Sequence, residues 1–322
     1  MSSSPRIAVI GSINMDLVIR LPRIPRPGES VIGGDLQRFP GGKGANQAVA
    51  AARLGAETVM VGRVGDDDFG RALLETMRDN GVETRHVGTT AGVSTGVGCI
   101  AIAADGQNAI AVGPGANMHV TPADVDAAVE SLRGCRVCLL QLELPLPTVE
   151  HSIRCCRAWN IQTVLDYAPA PQNPTAGLFE ANLITPNEAE AAALVGTEGV
   201  AASGGSPPRI AEDSRALARQ AEAIRRRGPA TVVLKLSDRG AFLQTARESE
   251  HVPAHPIRAV DTVGAGDAFT GALGTALAEG RPLPDAVRFA NAAGALACRT
   301  EGAIPSMPSR RAVEALLAGR TT

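Results

Sequence analysis

An α/β fold is the expectation for this chain: a mostly parallel central sheet with helices on both faces and a small lid of β-strands. Short apolar runs alternate with helix-period segments over most of the 322 residues. Several of the apolar runs stop at glycine or at polar residues, as buried strands do where an open sheet binds ligands at its carboxyl edge. Four Pro- and Gly-rich runs that alternate only weakly lie outside this pattern and supply the lid. The expected organisation is one domain over 1–322, with the lid formed by about 15–40 and 94–113.

Arg6–Gly11 (RIAVIG) reads as the first strand, and Ser12-Ile-Asn14-Met-Asp16 sets polar groups at its carboxyl end. Leu17–Ile19, Glu29–Phe39, Ser94–Ala103 and Ala109–Val112 are the lid strands. A flap with one uncovered apolar face has to close over a substrate or a second subunit. Gly41-Gly42-Lys43-Gly44 opens a helix over Ala45–Leu54. Thr58–Val61 is then a strand, and Asp68–Asn80 a helix closed by Gly81. Thr121 caps a helix with Pro122 at its first position. Arg136–Leu142 is a strand carrying Glu143 just past its end, Pro147–Trp159 a helix, and Thr163–Asp166 and Leu183–Thr185 strands. Thr185-Pro-Asn-Glu188 reads as a capping box launching a helix to about Val195. Gly196–Asp213 is rich in Gly, Ser and Pro and reads as an inserted surface loop. Ser214–Arg227 is helical, Thr231–Leu236 a strand, and Ala241–Gln244 and Val252–Val260 short strands. Two or three helices follow Gly264.

Composition narrows the function. A net charge of −2 and 2% aromatic residues give no case for a nucleic-acid partner or a base-stacking surface. No apolar run reaches about 18 residues and no targeting signal opens the chain, so the expectation is a cytoplasmic protein without a membrane partner. Cys135-x-x-Cys138 resembles half of a zinc or redox motif, but nothing completes it, and the five histidines show no metal-ligand spacing. Lys43 and Lys235 are the only lysines; every other cationic side chain is arginine. Such a chain keeps lysine where a compact, flexible ammonium is wanted.

The chemistry centres on Asp261-Thr-Val-Gly264-Ala265-Gly266-Asp267. Apolar residues at helical spacing follow, so the glycines open a helix whose free N–H groups and dipole make an oxyanion site. A carboxylate beside an anion site suits phosphoryl transfer: the amides hold developing charge while Asp267 takes a proton from an attacking hydroxyl. Asp267 also fits as an ordinary acidic residue of a helix's first turn. Asn14, Asp16, Gly42, Lys43, Asn46, Glu143, Asn187 and Glu190 all follow apolar strands on one inferred sheet edge. Carboxylates and amides there can pair with a polyhydroxylated ligand. Each has a bland alternative as a turn former, a helix-start residue or a solvated loop residue. A Walker A loop is excluded because Gly44 follows Lys43 and Gln37 stands where its first glycine belongs. Neither GxGxxG after the first strand nor a GxSxG elbow is present.

With these residues in view, the chain resembles the PfkB-type carbohydrate kinases from about Arg6 to Ser309. The marks are Gly11-Ser-Ile-Asn-Met-Asp16, Gly41-Gly-Lys-Gly-Ala-Asn-Gln-Ala48, Gln141-Leu-Glu143, Thr185-Pro-Asn-Glu-Ala-Glu190 and Asp261–Asp267. The second points to the ribose-phosphorylating branch rather than to fructose or nucleoside kinases. The resemblance implies transfer of the γ-phosphoryl group of ATP to the 5-hydroxyl of D-ribose, under a β lid that also joins two copies into a homodimer. It implies Asp267 as catalytic base and Gly264, Ala265 and Gly266 as the anion hole. Asn14, Asp16, Gly42, Lys43, Asn46 and Glu143 would bind ribose. Asn187 and Glu190 would organise phosphate and hydrated Mg²⁺. Lys235, Leu236, Ser237, Asp238, Arg239, Gly240 and Asn291 would face the nucleotide. Asp261, the Val263 carbonyl, Ala297, Thr300, Gly302 and Ser306 would hold a monovalent cation, K⁺. Ser237 departs from the glycine usual in the nucleotide loop. Gly264 stands where many relatives have alanine, which should loosen the turn slightly.

Overall fold

Arg6–Ile10 (β1) is buried from Ile7 onward because it becomes an interior strand of a nine-stranded sheet. The structure is a computed structural model that describes residues 4–196 and 214–320. The remaining strands are β2 (Asn14–Leu21), β3 (Gln37–Gly41), β4 (Glu57–Gly65), β5 (Val82–Thr90), β6 (Gly96–Ala103), β7 (Asn108–Gly113) and β8 (Val137–Leu140). They continue with β9 (Gln162–Leu165), β10 (Leu183–Ile184), β11 (Thr231–Lys235), β12 (Ala241–Gln244) and β13 (Ser249–Val252). The α-helices are α1 (Lys43–Arg53), α2 (Asp68–Asp79), α3 (Pro122–Ala127), α4 (Val129–Leu132), α5 (Leu146–Ala158) and α6 (Glu188–Val195). After them come α7 (Ser214–Arg225), α8 (Ala265–Ala278), α9 (Leu283–Ala297), α10 (Ala303–Ser306) and α11 (Arg310–Leu317).

The large sheet runs β13-β12-β11-β10-β9-β8-β1-β4-β5, parallel except for the antiparallel edge of β11, β12 and β13. Period-2 alternation divides its core. Ile7 and Val9 pack with α1, α8 and α9 on one face, whereas Ala8 and Ile10 pack with α5, α6 and α7 on the other. From β1 the chain builds outward through β4 and β5, then returns to β8 and builds the other way. The crevice of such a sheet opens where the direction reverses, between β1 and β8. Ser12, just past β1, and Glu143, just past β8, meet there: the Ser12 hydroxyl donates to the Glu143 carboxylate at 2.5 Å.

Over that crevice lies a four-stranded sheet in the order β3-β2-β6-β7, with β2 and β6 parallel and the other pairs antiparallel. Helices α1 and α8 pack closely because Gly271 has no side chain; a Cβ there would lie 2.7 Å from the Ala50 Cβ. Their N-terminal turns are thereby brought side by side at the sheet's carboxyl edge.

Several boundaries differ from expectation. The strand Val82–Thr90 was not expected; its polar, half-buried residues lie along the outer edge of the sheet, where burial leaves little period-2 signal. The stretch Val252–Val260 is not a strand: pairing with β12 ends at Val252, and Pro253 and Pro256 follow without N–H donors. Glu29–Phe39 shortens to Gln37–Gly41, its earlier part being interrupted by Gly33 and Gly34. Four α-helices rather than two or three follow Gly264, α10 being a single turn. Gly196, at φ +66°, closes α6; the rest of the Gly196–Asp213 loop lies outside the described residues.

Candidate active site

Asp267 is the third residue of α8 and is only 7% exposed. Its two carboxylate oxygens accept from Asn46 Nδ2 at 2.8 Å and Gln47 Nε2 at 3.1 Å, the fourth and fifth residues of α1. Gly264 caps the helix at φ +77°, a conformation that disfavours any side chain. Glycine therefore holds this turn instead of loosening it, contrary to the expectation from alanine in relatives. Ala265 N–H leans on the Thr262 carbonyl at 3.3 Å, while the Gly264 and Gly266 amides have no backbone acceptor among the described residues.

The electrostatics are unusual for a cleft. Burial raises the Asp267 carboxyl above the ordinary aspartate value; Lys43 opposes this, and Asp166 adds to it. Lys43 is pushed down by its own burial. Asp267, Asp166, Glu143 and Glu190 more than reverse that and hold it above the usual lysine value. Burial, with Glu143 and Asp267, raises Asp16 to about 7. Glu190 is raised chiefly by burial, with Lys235 as the leading opposing charge. Thus the only two lysines in the sequence act on one group of carboxylates.

On the lid side, Asp16 in β2 sits between Gly41 of β3 and Gly98 of β6. A Cβ on either glycine would come within 2.5 Å of an Asp16 carboxylate oxygen. No hydrogen-bond donor among the described residues reaches that carboxylate. Asn14 is buried, its Oδ1 accepting from Asn117 Nδ2 at 2.7 Å. Gly42, at φ +89°, is the N-cap of α1. The Asn46 Oδ1 is buried and without a hydrogen-bond partner.

Beyond Asp267, Lys235 at the end of β11 pairs with buried Asp166, and its ammonium lies 3.7 Å from the position a Gly266 Cβ would take. The capping box of α6 is Asn187 with Glu190, not Thr185 with Glu188. Asn187 Oδ1 accepts from the Glu190 N–H, and Glu190 accepts from the N–H and Nδ2 of Asn187. Thr185 is instead buried beneath the turn, 3.5 Å from Asp166. Ser237 takes φ +55°, which glycine would adopt without strain. Leu236, Asp238 and Arg239 line a cleft of about 290 Å³ with His251 and Pro253, and Gly240 turns the chain into β12 at φ +91°. Asn291 spends its amide N–H groups on the Val252 and Pro253 carbonyls. Asp261 ties two loops together, accepting from the N–H groups of Val263 at 3.0 Å and Gly302 at 2.9 Å. Ala297 and Thr300 border the same turn, and the Ser306 hydroxyl donates to the Ala303 carbonyl.

Sequence reasoning missed a buried polar layer beneath these groups. Gln47 Nε2 donates to Asp166 at 2.9 Å as well as to Asp267, and Gln47 Oε1 accepts from Gln141 Nε2 at 2.7 Å. In sequence Asp166 reads as the last residue of a strand, and a carboxylate that ends an apolar run is the signal for its place in the site. Asn117 carried no signal of its own.

A buried carboxylate at a glycine-opened helix start, facing free amides and two ammonium groups, defines a phosphoryl-transfer type of site. The family model described as pfkB family carbohydrate kinase matches residues 4–310, and the chain belongs to that family. It is 38% identical to the ribokinase of Bacillus subtilis over 311 residues, covering 97% of this chain and 99% of that protein. It is 33% identical to the deoxyribokinase of Salmonella typhi over 304 residues, covering 94% and 95%. The structure of Arabidopsis thaliana ribokinase complexed with ribose and ATP superposes with a TM-score of 0.87 at 31% identity, covering 98% of this chain and 99% of that one.

The raised Asp16 has a measurable consequence. A carboxyl lifted from 3.8 to about 7 by folding contributes stability that is intact below pH 4 and lost as pH rises through 7. In ligand-free protein, Asp16→Asn is expected to gain on the order of 2 kcal/mol over wild type at pH 8 and nothing at pH 4. Denaturant midpoints at the two pH values measure this, and an equal difference at both would contradict it.

Proposed function

We propose that the protein is an ATP-dependent sugar kinase that phosphorylates the 5-hydroxyl of D-ribose, giving D-ribose 5-phosphate. The observation that carries this reading is the buried Asp267 carboxylate, held by Asn46 and Gln47 beside the unengaged amides of Gly264 and Gly266. In the proposed mechanism Asp267 takes the proton of the sugar hydroxyl as its oxygen attacks phosphorus. Its raised proton affinity favours that role. The Gly264–Gly266 amides, with the α8 dipole, receive the charge on the transferring phosphoryl group, and Lys235 adds a cation next to Gly266.

Ribose would lie between the large sheet and the four-stranded sheet. Asp16, which lacks a protein donor, would accept from ring hydroxyls, and the orphaned Asn46 Oδ1 would accept another. Asn14, Lys43, Glu143 and the Gly42 backbone complete that side. Leu236–Gly240 and Asn291 would border the nucleotide. A hydrated Mg²⁺ brought with ATP supplies positive charge to the phosphates. Glu190 suits it because its half-buried carboxylate has a raised proton affinity that Lys235 only partly offsets. Asp261, the Val263 carbonyl, Ala297, Thr300, Gly302 and Ser306 would form the monovalent-cation site, and they can offer the oxygen ligands that K⁺ takes. Asp261 already links the anion-hole turn to Gly302, so a cation there would stiffen that turn. The reading places the enzyme with its ATP, in the cytoplasm.

The second reading is 2-deoxyribose, favoured by the likeness to deoxyribokinase. A buried Asp16 left unpaired by loss of the 2-hydroxyl argues against it. A coupled assay over ribose, 2-deoxyribose and nucleosides, with and without K⁺, tests the reading. Ribose should exceed deoxyribose by at least about tenfold in kcat/KM, with 5-phosphate as product and K⁺ activating. Turnover confined to deoxyribose or a nucleoside would overturn the assignment.

We also take 1–322 as one domain whose four-stranded sheet is both lid and dimer contact. β7 is exposed along its whole length, with Ile110 58% and Val112 54% exposed on one face. An apolar strand face of this kind calls for a cover, and a second copy's lid supplies one. Sedimentation should give a dimer for wild type and a monomer for Ile110→Asp/Val112→Asp; a monomeric wild type would contradict the contact.

A further inference from the structure

Away from the cleft, α3 and α5 bring together three metal-ligating side chains that neither the phosphoryl-transfer reading nor the sequence pattern uses. His151 and Cys155 are four residues apart on α5 and so project from one face. Asp126, near the end of α3, faces them. The His151 Nε2 lies 2.7 Å from Asp126 Oδ1 and 3.4 Å from Cys155 Sγ, and Cys155 Sγ lies 4.0 Å from Asp126 Oδ1. Among the described residues this is the one group of three or more His, Cys, Asp or Glu side chains whose ligand atoms all fall within 4.8 Å of one another. The five histidines show no metal-ligand spacing in sequence because the third ligand comes from another helix, 25 residues earlier.

We propose that Asp126, His151 and Cys155 bind one divalent transition-metal ion of the zinc class, with a fourth position open to water. The separations fit. A tetrahedral ion with Zn–N and Zn–O near 2.0 Å and Zn–S near 2.3 Å requires N···O of about 3.3 Å and S···N of about 3.5 Å. The observed 2.7 and 3.4 Å need a small opening of the His151–Asp126 hydrogen bond, and the 4.0 Å between Cys155 Sγ and Asp126 Oδ1 must close by about 0.5 Å. A mixed sulfur, imidazole and carboxylate set selects zinc-like ions over Mg²⁺, which takes oxygen ligands and keeps its waters. The site is half-exposed and reachable: Asp126 is exposed, His151 and Cys155 intermediate. The neighbouring Cys156, by contrast, is buried in the core. The ion would cross-link α3 to α5, the helix that begins three residues after Glu143, and so would stabilise the fold without joining the reacting groups.

Cobalt(II) is the probe, because only a thiolate ligand gives an intense sulfur-to-cobalt charge-transfer band; Co²⁺ held by the carboxylates of the cleft gives none. Metal-free full-length protein should bind one Co²⁺ with that band, lose it on addition of Zn²⁺, and show a higher Tm with Zn²⁺. Cys155→Ser should abolish both the band and the Tm rise. His151→Gln and Asp126→Asn should weaken Zn²⁺ binding by more than about a hundredfold, since loss of outer partners alone costs about 10–100-fold. Cys99→Ser, which removes an exposed thiol elsewhere, should change nothing. Metal-free melting curves of the variants establish that each is folded. Absence of the band in wild type, or its survival in Cys155→Ser, would overturn the proposal.

Discussion

Five carboxylates converge on one cleft with only two ammonium groups among them, and that imbalance governs the rest of the structure. Asp16, Glu143, Asp166, Glu190 and Asp267 all act on Lys43 or on one another. Like unit charges about 4 Å apart repel by about 4 kcal/mol at an effective dielectric constant of 20, so such a group is stable only if protons, amides or cations intervene. The cleft uses all three. Asp16 and Asp267 are raised toward the protonated form, Gln47 and Asn46 donate to Asp267, and Lys235 pairs with Asp166. What is left over is acceptor capacity on Asp16 and Asp267, which a ligand rich in hydroxyls can satisfy.

The fold supplies this arrangement cheaply. Reversal of strand order between β1 and β8 opens the crevice; the loops after those strands deliver Ser12 and Glu143 to its mouth, and the start of β2 delivers Asn14. The side-by-side helix starts of α1 and α8 follow from small residues at their contact, Gly271 against Ala50. Two helix dipoles then point at one place, and both helix starts carry a glycine at positive φ, Gly42 and Gly264. Gln47 is the joint of the assembly. Fixed by Gln141, it donates to Asp166 and Asp267 together, linking the lysine-paired carboxylate to the unpaired one.

Much of this was legible in the amino-acid order, because apolar runs with polar stops mark buried parallel strands and their functional edge. β1, β8 and β11 and the helix opened by Gly264 all lie close to where their patterns put them. The edge strand Val82–Thr90 was not legible, since a half-solvated strand of Glu, Thr, Arg and His carries no apolar period. The capping box was misread by two residues: Thr185 and Asn187 are both plausible caps in sequence, and only the burial of Thr185 decides between them. Asp166, Gln47, Gln141 and Asn117 were passed over as site residues because their role is to touch other polar side chains. Contacts between residues some 90 to 220 positions apart leave no local trace.

The central claim is that Asp267 moves a proton while the sugar is held by other groups. Asp267→Asn keeps the size while removing the base, and its one carboxamide oxygen can still accept from either Asn46 or Gln47. Turnover of Asp267→Asn on ribose with ATP, set against ribose affinity by calorimetry, tests it most directly. The account predicts turnover lowered by about 10²–10⁴-fold with ribose affinity within a few-fold of wild type. Near-normal turnover, or loss of ribose binding in step with turnover, would contradict it.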